Sequence, residues 1–201
     1  MGAYDVTWNG GDGNFTAGTD IALTKFDTTG ATLIWSTFLG GSGDDLPHSL
    51  IVNEADELIV LGTTGSSNFP TTANAFQSTF HGGTTFTPQG IGTHYANGTD
   101  MILARISADG SQLLASTYIG GSANDGINDA AALKFNYADE LRGEVELTPS
   151  GNILVASCTR STDFPVTAGA YQTTFAGGSH DAVVFEMDPS LDNMLWGTYY
   201  G

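Results

Sequence analysis

Cationic side chains are scarce in this chain. Lys25, Arg105, Lys134, Arg142 and Arg160 are its five basic residues against 22 Asp and Glu, a formal net charge of -17. Nucleic-acid phosphates must be neutralised by Lys and Arg, so this balance excludes a nucleic-acid partner and equally an anionic membrane surface. A single cysteine, Cys158, rules out an intramolecular disulfide and leaves the redox compartment open. Apolar runs fall short of the roughly 18–20 residues of a membrane-spanning helix. The first residues lack a basic segment followed by an apolar one, the mark of a secretory leader. Dinucleotide-binding, phosphate-loop and HExxH zinc motifs are also missing.

Glycine, by contrast, is abundant, with 27 residues, and the hydrophobic fraction of 40% is enough for a core. Together with many Thr, Ser and Asn, the glycines point to frequent turns rather than long helices. The decisive feature is internal repetition. NFPTTANAFQSTFHGG at 68–83 returns as DFPVTAGAYQTTFAGG at 163–178, with Phe69 and Phe164 separated by 95 positions. A third copy, worn at its front, reads AYDVTWNGG at 3–11. This is a repeat protein.

A second repeated element follows each Gly-Gly, at Thr19–Gly41, Thr99–Gly121 and His180–Gly201. Each is an apolar run, a turn and a second apolar run, the pattern of a β-hairpin. The turns fall at Asp27–Gly30, Ala108–Gly110 and Asp188–Leu191. Another hairpin is predicted over Ser49–Thr64 and again over Glu144–Thr159, with reversals at Asn53–Asp56 and Thr148–Gly151. In Met101–Ile106 and Ala182–Met187, apolar residues fall on both parities, so both faces of these strands should be covered.

One unit is therefore four strands. Asp20 to Asp100 spans 80 positions and Asp100 to Asp181 spans 81, but the 95-residue offset of the Phe-Pro motif shows two insertions cancelling. The insertions are 84–99 and 126–143, and Ala130–Tyr137 within the second is expected to form a helical turn. The chain divides into a partial unit at 1–41 and full units at 42–121 and 122–201.

The expected fold is all-β, with about two and a half four-stranded antiparallel units. Sheets apolar on both faces are what a β-propeller blade requires; a β-solenoid or an immunoglobulin-like sandwich are the alternatives. STFLGGSGDD at 36–45 and STYIGGSANDG at 116–126, each followed by a strand pair and then by the Phe-Pro to Gly-Gly segment, resemble the bacterial β-propeller repeat family known as SBBP. The Ser-Gly-Asn turn of that pattern is kept at Ser150–Asn152 and becomes Ala55-Asp56-Glu57 in the second unit. The resemblance implies a propeller within large secreted or surface-exposed bacterial proteins, often of the Bacteroidetes type that use type IX secretion. It implies no catalytic residues. Two and a half blades cannot close a ring, so the chain reads as an excerpt whose remaining blades come from a parent chain or from association of copies.

Candidate sites are few. Asp20, Asp100 and Asp181 precede each third strand, and Asp45 and Asp125 follow each Gly-Gly-Ser. Their repetition favours carboxylates accepting backbone N–H bonds at strand entry; calcium ligation is the alternative, without an EF-hand spacing to support it. Among His48, His81, His94 and His180, the pair His81 and His94 is conceivable as transition-metal ligands, but no Cys or acidic residue completes a known spacing. The unrepeated Phe86, His94 and Tyr95 of the first insertion are the candidates for contacting a protein or glycan. The expected function is a non-enzymatic scaffold or adhesion module of a secreted or cell-surface protein, needing no cofactor. A polysaccharide hydrolase or lyase with its site in a propeller channel is the alternative.

Overall fold

The computed structural model describes residues 2–10, 18–88, 92–128 and 140–201. The helical turn expected at Ala130–Tyr137 lies outside the described residues. Ten strands follow one another: β1 (Ile21–Phe26), β2 (Leu33–Leu39), β3 (Asp45–Val52), β4 (Leu58–Thr64), β5 (Asp100–Ile106), β6 (Leu113–Ile119), β7 (Glu144–Leu147), β8 (Ile153–Thr159), β9 (Asp181–Met187) and β10 (Met194–Tyr200). They form a two-stranded sheet, β1-β2, and two four-stranded sheets, β3-β4-β5-β6 and β7-β8-β9-β10. Every neighbouring pair is antiparallel. The described residues contain no helix, so none is long and apolar enough to cross a membrane.

The expected hairpins form at the expected turns. In β1-β2, β5-β6 and β9-β10 the same pair of backbone bonds closes the reversal, with Gly30 donating to Asp27, Gly110 to Ser107 and Leu191 to Asp188. The last residue of each turn has positive φ: 70° at Gly30, 71° at Gly110 and 58° at Leu191. Glycine occupies that region freely and leucine does not.

Alternation along the strands assigns the two faces of the middle sheet. Val60, Ile102, Ala104, Ile106 and Tyr118 join Ile21, Leu23, Trp35 and Leu39 of the first sheet in one buried cluster. Ile59, Leu61, Met101, Leu103 and Ala115 join Val145, Val155, Val183 and Phe185 of the third in another. The middle sheet is thus apolar on both faces because it is covered on both, and each buried side chain of this kind contributes about 1.5–3 kcal/mol. On β9 the expectation of two covered faces fails. Ala182 is exposed and Val184 and Glu186 are half-buried, because no further sheet lies on that side of the third one among the described residues.

The two sheet junctions are built alike but filled differently. Tyr4 N–H donates to Gly110 O at 2.8 Å in the first, and Phe76 N–H donates to Leu191 O at 2.9 Å in the second. In the first junction the indole of Trp35 lies where a Cβ on Gly110 would be, and Trp35 Nε1 donates to Ala108 O at 3.1 Å. In the second, the position of Trp35 is taken by Ala115 and that of Gly110 by Leu191, both in the same buried cluster. A large-small pair has been exchanged for a small-large one.

This exchange generates a prediction. Leu191→Gly should destabilise the protein by roughly 2–4 kcal/mol through the cavity it leaves, and adding Ala115→Trp should recover part of that loss. Urea unfolding of the two single variants and the double variant measures the coupling, expected at about 1–3 kcal/mol.

Candidate functional site

The repeated aspartates converge where one sheet passes to the next. At the first passage Asp45 accepts from the Gly41 N–H at 2.7 Å, from Ser66 Oγ at 2.9 Å and from the Thr64 hydroxyl. At the second, Asp125 accepts from the Gly121 N–H at 2.7 Å, from Ser161 Oγ at 2.9 Å and from the Thr159 hydroxyl. The other set serves the incoming loop. Asn9 N–H donates to Asp20 at 2.7 Å, His81 N–H to Asp100 at 2.7 Å and Ala176 N–H to Asp181 at 2.6 Å. Gly82 N–H adds a second bond to Asp100 at 2.9 Å.

The two sets meet across a glycine. A Cβ built on Gly40 would stand 2.7 Å from Asp20 Oδ1 and 2.7 Å from Asp45 Oδ2. On Gly120 it would stand 2.6 Å from Asp100 Oδ1 and 2.7 Å from Asp125 Oδ2. Neither glycine has positive φ. These Gly-Gly pairs suggest tight bends in the sequence, but Gly40 and Gly120 are needed for room between two carboxylates.

Burial pushes Asp45 and Asp125 up, and a neighbouring carboxylate adds to it in each case. Asp45 is raised to about 7 and Asp125 to about 8, with Asp20 and Asp100 respectively as the charged neighbours. Asp100 is raised to about 6 by burial, against the lowering effect of its two backbone donors. Such groups hold strand entries in place and take up protons near neutrality. They form pairs: among the described residues no group of three or more His, Cys, Asp or Glu side chains is placed to hold a metal ion.

The first insertion packs inward. Phe86 and Tyr95 pair as an antiparallel bridge with stacked rings 6.5 Å apart. Tyr95 is fully buried, its ring filling the space above Gly65, so it is withdrawn from any surface contact. Phe86 and His94 are half-buried. His94 N–H donates to Asp44 at 2.5 Å, and its Nδ1 pairs with Thr87 Oγ1 at 2.8 Å. The expectation that Tyr95 contacts a protein or glycan is corrected by its burial, and the described residues of the insertion cover the first junction. His81, exposed and attached to Asp100, belongs to the second junction, apart from His94.

Nothing in the sequence pattern singles out His48. The β3–β4 register shifts between Pro47 and Ser49, a bulge that re-aims the imidazole. Thr63 Oγ1 lies 2.7 Å from its Nε2, its Nδ1 is buried without a hydrogen-bond partner among the described residues, and burial lowers its pKa to about 4. It lines a cavity of about 450 Å3 between the second and third sheets, together with Asn128, Arg142, Glu144, Ser157 and Cys158. Cys158 Sγ lies 2.9 Å from Ile127 O. No protein-family model matches the chain, and no curated protein does either.

Two outcomes test the carboxylate arrangement. Gly120→Ala should cost about 1–3 kcal/mol by overpacking, read by urea unfolding. Asp45 and Asp125 have folded pKa values above the ~3.9 of a free aspartate, so the folded state binds more protons and stability falls as pH rises through that window. The melting temperature should therefore be higher at about pH 5 than at about pH 8.5, and Asp45→Asn with Asp125→Asn should flatten the dependence.

Proposed function

We propose that the chain is a non-enzymatic β-propeller segment of a secreted or cell-surface bacterial protein, acting as a scaffold that presents a binding surface. One observation carries this reading: the buried carboxylates recur at equivalent places in both junctions and are spent on backbone amides and neighbouring hydroxyls. Groups consumed in holding strands are poor candidates for turnover, which requires residues free to exchange protons with a substrate. The sheet stack supports the propeller reading, since the two complete units are four-stranded antiparallel meanders laid face to face, with the two-stranded first sheet on the open face of the middle one. The resemblance of the repeat motifs to those of SBBP proteins supports the surface location. Binding then belongs to loops on a rigid framework, with a protein or glycan as the partner.

The second reading, a polysaccharide hydrolase or lyase, is favoured by the unrepeated polar cavity around His48, Arg142 and Glu144. Incubation of the full chain with a panel of acidic and neutral polysaccharides and extracellular-matrix proteins separates the two. Saturable binding without release of reducing ends supports the scaffold. Sugar release lost on His48→Ala overturns it.

A further inference from the structure

The first sheet has two strands where its neighbours have four, and its open edge is specific. β1 occupies the place of β5 and β9, since Asp20, Asp100 and Asp181 open the same segment. β5 is paired on both sides, with β4 and β6, and β9 likewise with β8 and β10. β1 pairs with β2 alone among the described residues, leaving one row of N–H and C=O groups unmatched, a template for another strand.

Beside that edge runs a groove of about 590 Å3, lined by Leu23 and Phe26 of β1, by Leu50 and Val52 of β3, and by Leu58. Leu50 is 55% exposed, Val52 46% and Phe26 53%. Their counterparts in the next unit show what the exposure means. Leu50 corresponds to Val145, which is 3% exposed because it faces the middle sheet, and β7 there packs against β3 and β4. The groove is the mould of a first and a second strand missing from the first sheet.

We infer that this groove seats an antiparallel β-hairpin of the chain's own repeat type, a first strand and a second strand, the second pairing with β1. The inference rests on reading the sheets as successive equivalent units. Register follows from the two complete sheets, in which Thr64 stands opposite Asp100 and Thr159 opposite Asp181. A threonine at the end of the incoming strand therefore stands opposite Asp20, and the residue three positions before it opposite Leu23. The residues turned toward Leu50 and Val52 are apolar, as Ile59 and Leu61 are toward the third sheet. A second folded copy cannot supply this hairpin, because in each of its four-stranded sheets the second strand is already paired on both sides.

The test uses the full chain and a synthetic peptide copying residues 45–64. Amide exchange over Ile21–Phe26 should slow at least tenfold on peptide addition, while β9 amides keep their rate. Since an isolated hairpin is marginally stable, a second form carries a copy of residues 42–74 fused ahead of Ala3, and should show the same protection without peptide. Leu50→Glu with Val52→Glu, both at exposed positions, should abolish protection of β1 in the peptide experiment and leave β5 protected. Absence of β1 protection in both the peptide and the fused form overturns the proposal. So does β1 protection in the free chain accompanied by a doubled mass in light scattering, which would make a second copy the occupant. If β4 and β5 themselves exchange freely, the reading of repeated units fails first, and the two failures are told apart.

Discussion

Each passage from one sheet to the next depends on a carboxylate taken out of water and surrounded by donors. Asp45 and Asp125 are almost completely enclosed, each receiving a glycine amide and two hydroxyls. Leaving a buried carboxyl group with fewer partners costs several kcal/mol, so the Thr, Ser and Gly around it are constrained together. The constraint reaches outward. Ser66 and Ser161 also receive the backbone of the Gly-Gly-Ser turn, at Gly43 and Ala123, and their carbonyls accept the hydroxyls of Tyr118 and Tyr199 at 2.8 Å. Strand entry, turn and core aromatic are one connected set at each junction.

That connectedness explains how much could be read from the chain. Gly-Gly-Ser, the following Asp and the Phe-Pro segment stand at fixed separations because they touch one another, and all five turns were legible. The shared geometry even holds in the worn first copy, where Asp5 meets Thr37 and Phe38 as Gln77 meets Thr117 and Tyr118. Both-face burial of β5 was legible from its apolar parities, and the same signal misled at β9, since composition does not say which sheet lies at an end.

The site was less legible, for physical reasons. A glycine pair looks the same whether it is needed for dihedral freedom or for space, and only the positions of four carboxyl oxygens distinguish the two at Gly40 and Gly120. Tyr95 looked like a surface aromatic because nothing in its neighbourhood repeats; it is buried against Gly65, a residue thirty positions away. His48 was invisible because a one-residue bulge decides where its ring points. In the third sheet the described ends of the second insertion meet in the bridge Ile127–Leu141 just before β7, at the corresponding place. An irregularity in one unit and an insertion in the next thus share a position, and the cavity lies between them.

Trp35 against Gly110 and Ala115 against Leu191 give the array a direction and an order. The polar linkages at the two junctions use the same kinds of donor and acceptor and would let any unit follow any other. The apolar fillings would not: the face bearing Trp35 admits only a turn without a side chain, and the face bearing Ala115 is left hollow unless the turn brings one. Shape at a single pair of positions therefore acts as an address, discriminating a correct neighbour from a shuffled one in a molecule whose units are otherwise alike. Misassembly is the standing hazard of repeat architectures, and here the safeguard is steric rather than electrostatic.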